Sequence, residues 1–210
     1  MVTEIINAEK KPAECLIKAI DMLRTGNIVA FPTETVYGVG VDIYNTEAIQ
    51  KIFSIKNRPF SKPLAAHVSS IEMAESILES PPPLFFKLAE KYLPGPLSII
   101  TFKKYNIPLA ATAGGNTIAI RFPDSKITID LINKFGRPLA ATSANLSGGK
   151  FAVTAIEVYK SMKSLIPIIL DTGITKYAKE STVIDLTENP VKIVREGAIP
   201  AAEILQFIYN

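Results

Sequence analysis

Short apolar runs of strand type alternate with segments of helical periodicity along most of this 210-residue chain. Six strands are predicted from these runs, at 28–31, 63–68, 97–102, 117–121, 139–143 and 168–170. Alternation of this kind is typical of α/β proteins, in which helices cover the faces of a sheet. Two closely spaced strands, 182–186 and 191–194, flank a turn at 187–190 and predict an antiparallel hairpin. We therefore expect a mixed parallel and antiparallel sheet with flanking helices.

Most predicted helices carry recognisable end signals. Pro12 opens a helix that stops near Gly26, and Thr46 is the predicted N-cap of the next one. Ser69 and Glu72 have the spacing of a capping box. Further helices are predicted at 84–92, at 125–135, from a second capping box at 154–157 to about 163, and after residue 200. With no linker or internal repeat in the sequence, we expect one domain over residues 1–210.

Composition limits the classes of function. Lys and Arg number 23 and Asp and Glu number 20, so the formal charge of +3 does not by itself indicate nucleic-acid binding. Cys15 is the single cysteine and His67 the single histidine, and no spacing typical of a metal site is present. We find neither a signal peptide nor a run of about 20 apolar residues. A protein of the cytoplasm with no membrane partner is expected.

Four short segments are more polar or richer in glycine than their positions require. They are 32–38 (PTETVYG), 56–63 (KNRPFSKP), 117–121 (TIAIR) and 141–148 (ATSANLSG). Each lies at or beside a predicted strand end, where open α/β sheets bind ligands. Because side chains alternate between the faces of a strand, three sets of residues should each share a face. The sets are Thr33, Thr35 and Tyr37; Thr117, Ala119 and Arg121; and Ala141, Ser143 and Asn145.

Cationic residues stand singly beside turns rather than along a helical stripe. They are Lys56, Arg58, Lys62, Arg121 and Arg195. Guanidinium forks and ammonium groups that converge on one cavity would neutralise a polyphosphate. Three of them have a structural alternative: Lys56 and Arg58 could lie in a solvated turn, and Arg121 could pair with a surface acid. Similarly, Ser143 and Asn145 could cap a turn, and His67 could be structural. Neither of the two Gly-rich phosphate-binding signatures is present.

Five motifs follow one another in a fixed order along the chain. They are 32–38, Lys56-x-Arg58, Ser143-x-Asn145, 181–185 (STVID) and 195–197 (REG). As a set they resemble the YrdC-like family of threonylcarbamoyl-AMP synthases, from about residue 13 to 199. The resemblance implies a twisted mixed sheet with helices around a deep positive cavity, the YrdC/RibB-like fold. With its end at Asn210, the chain resembles the short form of the family, for which no additional C-terminal domain is expected.

The resemblance also implies an activity. The expected enzyme is a nucleotidyltransferase that joins L-threonine, bicarbonate and ATP into threonylcarbamoyl-adenylate and pyrophosphate, with Mg²⁺ entering with ATP. The product would pass to a separate tRNA threonylcarbamoyl transferase complex, which makes N6-threonylcarbamoyladenosine at position 37 of tRNA. Transfer RNA itself is a further candidate partner. The alternatives considered are a double-stranded RNA-binding module, an inactive paralogue and a carbamoyltransferase-like relative.

Site residues follow from the resemblance position by position. The implied catalytic signature is Lys56, Arg58, Ser143 and Asn145. The implied ATP-binding residues are Arg58, Lys62, Thr117, Ser143, Phe151 and Arg195, and those for threonine are Thr35, His67, Arg121, Ala141 and Ser181. No resident metal is expected. In the mechanism expected here, Lys56, Arg58 and Lys62 hold the phosphates while Arg121 binds the threonine carboxylate.

Overall fold

Within residues 2–210, which the computed structural model describes, ten strands form one mixed sheet. The strands are β1 Glu4–Asn7, β2 Val29–Phe31, β3 Gly38–Asp42, β4 Ala65–His67, β5 Leu97–Phe102, β6 Thr117–Arg121, β7 Leu139–Ser143, β8 Ile168–Asp171, β9 Thr182–Asp185 and β10 Lys192–Arg195. Their order across the sheet is β1-β8-β2-β3-β7-β4-β6-β5-β9-β10. Neighbours are parallel in β1/β8, β8/β2, β4/β6 and β5/β9, and antiparallel elsewhere. The predicted mixed sheet and the β9/β10 hairpin are confirmed.

Seven α-helices flank this sheet in the part of the chain that is described. They are α1 Pro12–Arg24, α2 Thr46–Lys56, α3 Ile71–Ile77, α4 Pro83–Tyr92, α5 Lys126–Phe135, α6 Ala155–Met162 and α7 Ala201–Tyr209. A 3-10 turn spans Leu109–Thr112. The predicted stop of α5 is confirmed, since Gly136 adopts φ +78° at its end. The capping box of α6, formed by Thr154 and Glu157, is confirmed as well.

Two predicted helix caps lie one residue away from their true positions. The α2 cap is Asn45, whose side chain accepts from the Ala48 N–H at 3.0 Å, and Thr46 is the first helical residue. For α3 the cap is Ser70 rather than Ser69, and its Oγ accepts from the Met73 N–H at 3.1 Å. In both places two adjacent residues could cap a helix, so residue type alone did not choose between them.

Strand β3 was not predicted, because its Gly38-Val39-Gly40 sequence has low strand propensity. The structure shows why glycine is needed there. A Cβ atom at Gly38 or Gly40 would lie 2.9 Å from the ring of Phe31 on the adjacent strand β2. The ring therefore occupies the space that two side chains would have filled. Strand β1, in a polar stretch, was also missed.

The two faces of the sheet are covered unequally. On one face, α1 and α5 pack over β2, β8 and the start of β7, with Phe31, Leu131 and Leu139 in their shared core. The other face carries the larger core, which includes residues from α2, α4 and α6 and, among sheet residues, Ile120 and Ala140. Where α1 and α5 stop, the central strands β7, β4, β6, β5 and β9 keep one face open, and the candidate site lies there.

Candidate active site

A cavity of about 630 Å³ occupies this open face. Alternation along the strands supplies its floor, since Ala65, Ala119, Ala141, Ser98 and Ile100 point into it. Their neighbours on the same strands point into the opposite core. Small floor residues leave room for a ligand against the sheet. All three residue sets predicted from strand parity contribute to the cavity, apart from Thr117.

Twelve of the thirteen predicted site residues line the cavity. They are Thr35, Lys56, Arg58, Lys62, His67, Arg121, Ala141, Ser143, Asn145, Phe151, Ser181 and Arg195. The remaining one, Thr117, is not among the lining residues. It begins β6 and pairs with Phe102, four residues and about 13 Å of strand away from Arg121. The set that the sequence scatters over 160 positions thus converges, and the assignment of each residue to ATP or threonine stays a prediction.

Cations dominate the charged lining. Among the described residues, the lining contains a single carboxylate, that of Glu180, and five cationic residues, which are Lys56, Arg58, Lys62, Arg121 and Arg195. Such an arrangement attracts phosphate and carboxylate groups. Sequence reasoning did not include Glu180, although it stands next to Ser181 in a motif that was recognised.

Lys56 has hydrogen-bond partners within the protein. Its side chain is buried, and its ammonium donates to the backbone carbonyls of Ser143 and Asn145. Burial, and secondarily the charge of Arg58, lowers the pKa of Lys56 to about 7. The lysine therefore ties the end of β7 to the end of α2. Its ammonium thus holds the backbone that borders the cavity, and its expected role in holding phosphates stays a prediction.

The segment after β7 is closed by its own side chains as well. Ser143 Oγ donates to Asn145 Oδ1 at 2.6 Å, and Asn145 Nδ2 donates to the Gly149 carbonyl at 2.7 Å. The Ser147 N–H bonds the Lys56 carbonyl at 2.9 Å. The turn-capping alternative considered for Ser143 and Asn145 is thus correct in part, because the same residues form a turn and line the cavity.

Arg58 and Lys62 lie on the loop between α2 and β4. Arg58 donates from Nε to the Lys62 carbonyl at 3.0 Å and from Nη2 to the Pro63 carbonyl at 2.8 Å. These bonds fold the loop around the guanidinium and present both residues to the cavity. Phe151 is 43% exposed at the cavity wall, so its ring is open to a flat ligand.

Arg121 pairs with a buried acid and not with the surface acid that was considered. Its Nη2 lies 2.6 Å from Glu34 Oε1 and 3.3 Å from Thr35 Oγ1. Its Nη1 is buried without a hydrogen-bond partner among the described residues. His67, on the neighbouring strand, is also buried, and its Nδ1 has no partner within residues 2–210. Burial, reinforced by the Arg121 charge, lowers the pKa of His67 to about 3, so the ring is neutral.

Ser181 and Arg195 form the far wall. Arg195 donates to the Ser181 carbonyl from Nε at 3.1 Å and from Nη2 at 3.0 Å, and its Nη1 pairs with Glu180 Oε1 at 2.5 Å. Ser181 Oγ lies 2.9 Å from Ser98 Oγ, a floor residue that was not predicted. Gly197 permits this packing, because a Cβ there would lie 2.3 Å from the Glu180 carbonyl oxygen.

No group of three or more His, Cys, Asp and Glu side chains in residues 2–210 is arranged to hold a metal ion. Over the same residues, none of the helices has the length and apolar character needed to cross a membrane.

The chain is similar to known proteins over most of its length. Residues 21–197 match the Sua5/YciO/YrdC family, which carries the description "Telomere recombination". The threonylcarbamoyl-AMP synthase of Pyrococcus abyssi is 39% identical over 208 residues, which are 99% of this chain and 61% of that protein. A putative threonylcarbamoyl-AMP synthase of Methanocaldococcus jannaschii is 36% identical over 198 residues, covering 93% of this chain and 90% of the relative.

A solved structure agrees in fold over nearly the whole chain. The crystal structure of P. abyssi Sua5 complexed with L-threonine superposes with a TM-score of 0.93 at 39% identity. The match covers 99% of this chain and 61% of that one, so the chain spans less than two thirds of that relative's length. The family prediction made from five ordered motifs is confirmed: the chain belongs to the Sua5/YciO/YrdC family.

Proposed function

We propose that this chain is a threonylcarbamoyl-AMP synthase. In the proposed reaction, the neutral threonine amine and bicarbonate combine into a carbamate with loss of one water molecule. A carbamate oxygen then attacks the α-phosphorus of ATP, and pyrophosphate leaves. The reaction class is nucleotidyl transfer, which needs positioned charge rather than a protein nucleophile.

One observation carries the proposal. Five cationic side chains line one cavity together with Ser143, Ser181 and a neutral His67. Arg58, Lys62 and Arg195 would bind the triphosphate, with Phe151 beside the base. The Nη1 of Arg121, which has no partner within the described residues, would bind an amino-acid carboxylate. The names of the relatives and the L-threonine in one of them support the same assignment.

Mg²⁺ is proposed to enter as part of the ATP substrate. Such an ion is held mainly by phosphate oxygens and water, with one or two protein ligands. Glu180 is the one carboxylate among the lining residues, and it could supply such a ligand if its pair with Arg195 opens. This fits an ion that arrives with the nucleotide.

A wider role is proposed on chemical grounds. The product is a mixed anhydride, which a separate enzyme would use to transfer the threonylcarbamoyl group to adenosine 37 of tRNA. We propose a cytoplasmic location for this role, since ATP and tRNA are both present there.

The test is pyrophosphate release with each substrate omitted in turn, together with mass detection of threonylcarbamoyl-adenylate. Release should require ATP, L-threonine and bicarbonate together. Arg58→Ala should lower the rate about 100-fold, because it removes a donor to the developing charge. Arg137→Ala is the matched control, since Arg137 pairs with Asp42 away from the cavity. Release that is independent of threonine would overturn the proposal, and salt-sensitive RNA binding instead would support the RNA-binding alternative.

A further inference from the structure

We propose that Glu34 is a positioning residue for the amino-acid site. Its carboxylate fixes the Arg121 guanidinium so that Nη1 is held out for the substrate carboxylate, and its charge keeps polyphosphate away from that arginine. The inference rests on the proposed function and deepens it, because it states how one cavity separates two anionic substrates.

Both oxygens of the Glu34 carboxylate accept hydrogen bonds. Oε1 accepts from Arg121 Nη2 at 2.6 Å and Oε2 accepts from the Asp124 N–H at 3.0 Å. Its backbone carbonyl accepts from the Tyr177 N–H at 2.8 Å. Glu34 is 4% exposed and Arg121 is 2% exposed, so water cannot replace these bonds. Rotation of the carboxylate would break at least one of them.

These hydrogen bonds determine which nitrogen of Arg121 remains available as a donor. The Nη2 hydrogens are directed to Glu34 and to Thr35 Oγ1, and a guanidinium is a rigid plane. Once Nη2 is fixed, the direction of Nη1 is fixed too. That nitrogen is buried and has no acceptor within residues 2–210. A carboxylate that reaches it removes an unsatisfied buried donor, which favours binding at this atom.

The charge of Glu34 has a second consequence. The Glu34–Arg121 pair is neutral as a unit, and so is the Glu180–Arg195 pair, whereas Arg58 and Lys62 line the same cavity without a carboxylate in salt-bridge distance among the described residues. A triphosphate or pyrophosphate therefore gains less from Arg121 than from Arg58 and Lys62. The orientation of Arg121 favours a single carboxylate, while the positive charge of Arg58 and Lys62 attracts phosphates.

The experiment compares wild type, Glu34→Gln, Glu34→Asp and the control Asp42→Asn. Asp42 is matched to Glu34, since it pairs with Arg137 at 2.8 Å and accepts a backbone N–H from Tyr44, outside the cavity. In Glu34→Gln the KM for threonine should rise about tenfold or more while the KM for ATP changes less than about twofold. Pyrophosphate should become a competitive inhibitor against threonine in this variant.

Glu34→Asp separates position from charge. The shorter side chain should raise the KM for threonine without making pyrophosphate compete with it. Asp42→Asn should leave both KM values unchanged. An unchanged threonine KM in folded Glu34→Gln would overturn the inference, as a merely structural residue would change stability and not this ratio.

Failure of the two proposals can be told apart. If wild type binds threonine and releases no pyrophosphate, the proposed function is overturned. Calorimetric titration of threonine and of inorganic pyrophosphate into wild type and into Glu34→Gln then tests the positioning role of Glu34. If neither Glu34 variant folds, wild type alone is decisive. Pyrophosphate should inhibit it competitively against ATP only, and competition against threonine in wild type would overturn the inference.

Discussion

The ammonium of Lys56 and the backbone carbonyl of Ser143, 87 positions apart in the chain, are joined by a hydrogen bond. The same ammonium bonds the carbonyl of Asn145. The Lys56-x-Arg58 and Ser143-x-Asn145 motifs are thus in direct contact, because the buried Lys56 side chain holds the turn that borders the cavity.

Lys56→Met should open this turn. Two carbonyls lose a charged donor, and each unpaired buried polar group costs about 1–3 kcal/mol. Hydrogen exchange of residues 144–149 should accelerate, and pyrophosphate release should fall about 100-fold. Lys126→Met is the control, because Lys126 is an exposed partner of Asp130. Unchanged hydrogen exchange at 144–149 in the Lys56 variant would contradict the role of Lys56 in holding this turn.

His67 should make the protein sensitive to acid. Burial holds its pKa at about 3 in the folded state, against about 6.5 when unfolded. As pH falls from 6.5 towards 3, the unfolded chain takes up a proton that the folded one refuses, so stability is lost. Wild type should lose up to about 1.4 kcal/mol per pH unit more than His67→Gln over this range. Urea unfolding at pH 6 and pH 4 measures the difference, and parallel slopes would refute it.

Gly197→Ala should disturb the wall formed by Arg195. The new Cβ would lie 2.3 Å from the backbone oxygen of Glu180, which cannot move aside as a flexible side chain would. We expect a loss of about 1–3 kcal/mol in unfolding free energy and a raised KM for ATP. The control is Gly115→Ala, whose Cβ would meet the Thr112 oxygen at 3.2 Å outside the cavity. Equal KM values for ATP in the two variants would count against this wall assignment.

Phe31 and Gly40 should be energetically coupled. Gly40→Ala places a Cβ 2.9 Å from the Phe31 ring and should destabilise the protein by about 1–3 kcal/mol. Phe31→Leu leaves a gap and should also be destabilising. In the double variant the added methyl enters that gap, so the combined loss should be smaller than the sum. Denaturant unfolding of the four proteins gives the coupling, and strict additivity would contradict it.

The sequence predicted the elements whose signal is local. Strands β5, β6 and β7 were placed with their observed ends, and the start of α1 and the stop of α5 followed from proline and glycine. Strand β3 was missed because its signal is not local, since Phe31 on another strand decides which residues fit there. Strand β1 was missed because its pairing with β8 joins residues more than 160 positions apart.

The site was predicted as a set of positions, but the internal partners were not. Parity placed Arg121 on the cavity face, yet nothing in the spacing paired it with Glu34, 87 positions earlier. The ion pair shows that Glu34 orients Arg121. Likewise, a lysine beside a turn is usually solvated. The burial of Lys56 depends on carbonyls from β7 that only the folded chain brings near.

In the half-covered sheet, alternate residues of the central strands point into the core and into the open cavity. On β6, Ile118 and Ile120 belong to the core while Ala119 and Arg121 line the cavity. Evolution or an engineer can therefore exchange the second set for a new substrate while the first set continues to keep the chain folded. A scaffold of this kind is suited to diversify its chemistry without first having to become more stable.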